Sequence, residues 1–177
     1  TQMTELIDNL LDLGRIEAGV DVSMSTCELT PLIRDVAVRF RPQAEARGLT
    51  LTVKLPLDLP PVAGDPLLLG QAFANLIDNA IKYAPAGGHI EVRLDAGTDV
   101  ATISVADDGP GVPAAERDKV FQRFYRVEAS RSGHPGNGLG LSLVQAVINL
   151  HGGGVQLGDN APGLRVSVWL PRAAAPA

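Results

Sequence analysis

Two pairs of strand-like apolar stretches are each joined by a connection too short to hold a crossover helix: His89–Leu94 with Val100–Ala106, and Val155–Leu157 with Arg165–Leu170. Parallel neighbours need a crossover of a dozen or more residues, so both pairs are expected to fold back on themselves. A helix, a strand and a second helix precede the first pair, and a loop and a helix separate it from the second. That order predicts a two-layer α/β (α+β) sandwich, with a mixed, largely antiparallel sheet and helices on one face. It is not the order of a doubly wound parallel sheet.

The helices announce themselves by spacing and by their ends. Met3, Leu6, Ile7, Leu10, Leu11, Leu13 and Ile16 recur near helical period up to Gly19, a suitable stop. So apolar a helix, open at the first residue, reads as the tail of a longer one. Residues 20–29 are a polar, β-leaning connector. Thr30-Pro31 resembles an N-cap and first-turn pair for a helix that Gly48 ends, and Asp65-Pro66 does the same for one that runs to Tyr83. Leu49–Leu55 alternates as a half-buried strand. A short helix is expected around Glu116–Phe124, a helix over Leu139–Leu150, and a disordered Ala/Pro-rich tail from residue 172.

The 177 residues suffice for one well-filled core. No run of 18 apolar residues and no basic, apolar leader occurs, so this stretch is expected neither to cross nor to touch a membrane. A lone cysteine, Cys27, forms no internal disulfide and fits a reducing, cytoplasmic setting. The net charge of −5 argues against a nucleic-acid-binding face. An anionic ligand therefore needs positive groups arranged locally. Arg117, Lys119, Arg123, Arg126 and Arg131 stand against only Asp118 and Glu128 in one such region, for which a solvated loop is the other reading.

Three places carry chemistry. On the predicted helix Pro66–Tyr83, an apolar stripe of Leu69, Ala72, Phe73, Leu76, Ile77 and Ala80 lies opposite Gln71, Asn75, Asp78, Asn79 and Lys82. Asparagine costs roughly several tenths of a kcal/mol against alanine in mid-helix, so two of them one turn apart are an expensive plain surface. The amide of Asn79 suits Mg²⁺ and Lys82 suits phosphate, although the helix alone leaves a solvated face equally open. Next, Asp107-Asp108-Gly109-Pro110-Gly111 follows an apolar strand and offers a carboxylate to an exocyclic amine such as that of adenine; a structural turn is the other reading. Last, Gly136-Asn137-Gly138-Leu139-Gly140 opens a helix, where backbone N–H groups and the helix dipole favour an anion. Its spacing matches neither the dinucleotide fingerprint nor a P-loop.

In this order, the three segments resemble the ATP-binding catalytic domain of sensor histidine kinases, within the superfamily of gyrase, Hsp90 and MutL. Gln71-Ala-Phe-Ala-Asn75-Leu-Ile-Asp-Asn79-Ala-Ile-Lys82-Tyr83 is similar to the N box, Val105–Val112 to the G1 box, Val120–Arg126 to the F box and Gly136–Val144 to the G2 box. His151-Gly-Gly and Val168-Trp-Leu-Pro171 also match, so the resemblance covers about residues 30–171.

The resemblance implies a Bergerat-type fold that binds ATP and Mg²⁺. It places Mg²⁺ on Asn79 with Asn75 beside it, phosphate on Lys82, and Tyr83 against the nucleotide. Asp107 holds the adenine amine while Gly109 and Gly111 shape the base pocket. Residues 124–137 form a mobile lid, and Gly136, Gly138 and Gly140, with Leu139, meet phosphates. Phe121 and Phe124 anchor that lid by packing, with plain core an equal reading for Phe121, and Arg126, with Arg123 second, reaches the γ-phosphate. Residues 1–19 resemble the end of the second helix of the dimerisation and phosphoacceptor domain, 20–29 a linker, and 30–171 the catalytic domain. The acceptor motif is missing, and His89, His134 and His151 all read as structural. The implied partners are therefore the absent acceptor domain and a response regulator, with the fragment itself a monomer; a regulatory nucleotide-binding module or anti-sigma-like serine kinase is the alternative. Superfamily members that hydrolyse ATP carry a glutamate base at the position of Asn75, and an amide cannot take that role.

Overall fold

The protein is described from a computed structural model covering residues 2–19, 22–127 and 138–172. Expectations for Arg131, His134, Gly136, Asn137 and the tail from residue 173 lie outside the described residues. Helix α1 (Gln2–Ala18) leads into strand β1 (Ser25–Cys27), helix α2 (Leu29–Ala46), and strands β2 (Thr50–Lys54) and β3 (Val62–Gly64). Helix α3 (Pro66–Tyr83), strands β4 (His89–Ala96) and β5 (Val100–Asp107), helix α4 (Gly140–Leu150), and strands β6 (Gly154–Asp159) and β7 (Leu164–Pro171) complete the order.

The main sheet runs β2-β4-β5-β7-β6 and is antiparallel except for the β2–β4 pair. Both short-turn pairs fold back as the spacing requires, and β4 and β5 hold the register Ile90↔Asp107. Helices α2, α3 and α4 pack side by side against the sheet, with α1 outside them on α4. Phe73, Leu69, Leu76, Ile77 and Ile81 of α3 are buried, and they meet Ile90, Ile103, Val105 and Val168 of the sheet in one core. Each such side chain contributes roughly 1.5–3 kcal/mol on leaving water, which fixes which face of α3 points inward. The polar face follows from that without further choice. No helix among the described residues is long and apolar enough to cross a membrane.

The N-terminus of α3 is held firmly. Asp65 Oδ1 accepts from the backbone N–H of Leu67 at 3.0 Å and Leu68 at 3.3 Å, while Oδ2 takes the N–H of Ser23 at 2.9 Å. The Asp65 N–H in turn donates to Nε2 of buried His151 at 3.0 Å. Nδ1 of His151 lies 2.7 Å from the Val147 carbonyl, so both ring nitrogens are engaged at the end of α4.

Two local expectations need correction. Thr30 does not cap α2: the helix starts two residues earlier, after Glu28, and the Thr30 hydroxyl donates instead to the Pro56 carbonyl at 3.1 Å. The expected helix at Glu116–Phe124 is two single 3₁₀ turns, Ala114–Glu116 and Lys119–Phe121. Only Val120 there is buried, so no apolar stripe rewards a continuous helix. The connector gains a feature, since β1 pairs antiparallel with β3 through Cys27↔Val62. Burial chiefly raises the pKa of the Cys27 thiol.

Candidate functional site

A cavity of about 700 Å³ opens among α3, the loop after β5, the approach to α4 and one side of α1. That volume lies within the roughly 300–1,000 Å³ of small-molecule sites. Asn75, Asn79, Lys82 and Tyr83 reach it from successive turns of α3. Asp107 and Gly111 reach it from the end of β5 and the loop beyond, and Gly138, Gly140 and Arg126 close the remaining side. Val105, Leu141, Leu164 and Val166 supply apolar wall.

Asp107 is nearly buried, at 6 % exposure. Its Oδ1 accepts the N–H of Gly109 at 2.8 Å and of Leu164 at 3.4 Å, leaving Oδ2 for a ligand. Burial pushes this carboxyl above the ordinary range; the two N–H groups oppose the shift and neighbouring Asp108 adds to it. Asp108 itself turns away, its Oδ2 accepting from the His89 N–H at 2.7 Å.

On α3 the two amides converge on the start of α4. A Cβ on Gly140 would stand 3.6 Å from both amide atoms of Asn79 and 3.8 Å from Oδ1 of Asn75. Neutral oxygen donors beside a helix N-terminus fit a hard cation carried in with an anion. Lys82 pairs with Asp78 at 2.8 Å, one turn back, so a phosphate here meets a cation already held in place.

Several expected residues stand elsewhere. Gly109 is outside the cavity lining, packed where a Cβ would come 2.7 Å from the Tyr83 carbonyl. Leu139 is 1 % exposed and anchors α4 in the core. Phe121 packs on the core, not into the cavity. Phe124 does not anchor by packing: it is 55 % exposed with φ +66°, and its backbone meets the other end of the proposed lid. There the Phe124 N–H donates to the Gly138 carbonyl at 3.1 Å, and a Cβ on Gly138 would sit 2.7 Å from the Phe124 carbonyl carbon. Arg123 pairs with Glu17 of α1 and lies outside the lining. Gly136 falls outside the described residues.

Spacing did not disclose the contribution of α1. Met3, Leu6 and Asn9, roughly a turn apart, line the same cavity as Lys82, Asn79 and Asn75. Asp12 accepts from the Gln71 side chain at 2.9 Å, and Leu13 and Ile16 are buried. The exposed Arg123–Glu17 pair adds little, so the two apolar anchors hold the helix. Leu13→Asp is accordingly expected to release α1 alone, because a carboxylate cannot be buried there without a partner. Hydrogen exchange should then reach near-unfolded rates across α1 while β5 and α3 keep their protection. Joint loss of protection in all three would show that α1 belongs to the folding unit itself.

Residues 64–174 match the family described as histidine kinase-, DNA gyrase B- and HSP90-like ATPase. The chain is 39% identical to the signal transduction histidine-protein kinase/phosphatase MprB of Mycolicibacterium smegmatis over 96% of this chain and 35% of that protein. It is 34% identical to the sensor protein IrlS of Burkholderia pseudomallei over 96% of this chain and 36% of that one. It thus spans about a third of the length of these curated relatives. Among solved structures, full-length ShkA in complex with AMPPNP superposes with a TM-score of 0.84 at 27% identity, covering 99% of this chain and 37% of that one. The mycobacterial sensor histidine kinase MprB gives 0.74 at 33% identity, covering 86% of this chain and all of that one. The chain belongs to the family of histidine kinase-, DNA gyrase B- and HSP90-like ATPases, and its relatives within it are sensor histidine kinases.

Proposed function

We propose that the chain binds ATP with Mg²⁺ in the cavity above and donates the γ-phosphate to a histidine supplied from outside it. One observation carries this reading: a base-recognising carboxylate, a pair of amides with a lysine, and a glycine-flanked helix N-terminus face one cavity in a family of ATPases. Oδ2 of Asp107 accepts the exocyclic amine, and Val105, Leu164 and Val166 exclude water around the base. Backbone at Gly138 and Gly140 meets the phosphates with the dipole of α4 behind it. Asn79 and Asn75 hold Mg²⁺, which when bound neutralises phosphate charge. Lys82 and Arg126 add positive charge along the phosphates.

Among the described residues neither histidine is a credible acceptor: His151 is buried with both nitrogens engaged, and His89 begins a strand. Asn75 cannot activate water, so bound ATP is hydrolysed slowly and waits for a docked imidazole. That imidazole belongs to the acceptor domain of the longer kinase, which passes the phosphoryl group to a response regulator. Residues 1–19 are the end of that domain's second helix, 20–29 the linker and 30–171 the catalytic unit, which works in the cytoplasm.

The test is to mix the chain with labelled Mg-ATP and a separate histidine-bearing fragment of a related sensor kinase. Acid-labile label on histidine is expected. Acid-stable phosphoserine, or tight nucleotide binding with no transfer to any partner fragment, would overturn the kinase reading. Fast ATP turnover by the chain alone, abolished in Asn75→Ala, would overturn the claim about hydrolysis.

A further inference from the structure

We propose that Asn160, in the turn between β6 and β7, is a positioning residue for base recognition, holding Asp107 in place without touching the nucleotide and itself held by Arg165. The proposal rests on the nucleotide function above and extends it to residues that lie outside the cavity lining.

The reason lies in how the sheet ends. On the β7 side of β5 the last rung is Ala106↔Arg165, so the Asp107 carbonyl lies one residue past the ladder. Asn160 Nδ2 donates to that carbonyl at 2.8 Å and takes the place of the missing strand. The amide has a fixed orientation, since its Oδ1 accepts from Nη2 of Arg165 at 3.1 Å, and Nη1 of the same guanidinium reaches the Ser104 hydroxyl at 3.4 Å. The turn is closed by the Asn160 N–H on the Gly163 carbonyl at 3.1 Å and by the Ala161 N–H on Oδ1 of Asp159 at 3.0 Å.

That turn rests directly on Asp107. A Cβ on Gly163 would come within 1.7 Å of the Asp107 carbonyl oxygen, so only glycine permits the approach. Directly after Gly163 the chain presents the Leu164 N–H to Oδ1 of Asp107 at 3.4 Å. The turn therefore holds the recognition residue at its carbonyl through Asn160 and, alongside the Gly109 N–H, at its carboxylate through Leu164. Loss of Asn160 loosens both holds, and Oδ2 no longer meets the base amine at a set angle.

A positioning role has a signature that general loosening lacks: it weakens only nucleotides bearing the exocyclic amine. The experiment measures dissociation constants of ATP and of purine riboside 5′-triphosphate, which lacks that amine, for the whole chain. Asn160→Ala is expected to weaken ATP about 3- to 10-fold and the analogue less than about 2-fold. Arg165→Met, which leaves the turn sequence intact, should shift the same ratio in the same direction. Together the two changes should fall short of additivity, because they cut one chain of contacts. Equal weakening of both nucleotides, or no change in their ratio in either variant, overturns the proposal while wild-type ATP binding stands. A wild-type chain that binds neither nucleotide overturns the nucleotide function itself, and this proposal with it.

Discussion

Asp107→Asn is expected to lower affinity for ATP by about a hundredfold or more while leaving the domain as stable as before, or slightly more so. The carbonyl oxygen of the new amide would remain on the N–H groups of Gly109 and Leu164, which hold Oδ1 now. Its NH₂ would then face the cavity, a donor set against the adenine amine, itself a donor. Preference should move toward inosine triphosphate, whose base presents an acceptor at that position. Stability runs the other way for an electrostatic reason. Burial raises the folded-state pKa of Asp107 above its ordinary value of 3.8. In the window between the two values the folded state binds more protons than the unfolded one, so stability falls as pH rises through it. An asparagine has no such slope. Melts of wild type and variant across acid to neutral pH should differ least at the acid end, with the variant gaining above it. A variant that melts well below wild type at neutral pH would mean that the carboxylate is structural and does not act mainly as a base receptor.

The sequence discloses what period and punctuation encode, and little of what depends on distant partners. Helix α3 is legible to the residue: Asp65 caps it, its apolar stripe enters the core, and its amides face the cavity. The two antiparallel pairs are legible from connection length, and the parallel β2–β4 pair makes the sheet mixed, as the expectation allowed. Thr30 misleads because a hydroxyl can serve any nearby carbonyl, and Pro56 is 26 residues away. Phe124 misleads because apolar character says nothing of φ; at +66° the ring faces solvent and the backbone makes the contact. The apolar face of α1 is legible, but its width hides which side packs: Leu13 and Ile16 are buried whereas Met3, Ile7 and Leu11 stay exposed. Asn160 carries no local signal at all. Its meaning comes from the sheet ladder ending at residue 106, a fact of pairing and not of composition.

Asn79→Ala is the second large effect, and it separates the metal from the nucleotide. With Mg²⁺ present, phosphoryl transfer to an acceptor histidine should fall about 100- to 1,000-fold, the scale seen when a preorganised group facing developing charge is removed. Activity alone would not distinguish a lost metal ligand from a damaged pocket, so binding is the deciding measurement. In EDTA the variant should bind ATP as wild type does, since in the proposed function Asp107 and the apolar wall, both left intact, recognise the base, and α3 keeps its core stripe. On adding Mg²⁺ the wild type should tighten and Asn79→Ala should gain little. Helix stability should change only slightly, because alanine is the better helix former and the removed amide lies on the cavity face. Asn75→Ala should show a smaller loss of the same kind, for its Oδ1 faces the same point beside Gly140 from slightly farther away. Equal weakening of Asn79→Ala with and without the metal would assign the amide to the nucleotide and leave Mg²⁺ to be held by other groups.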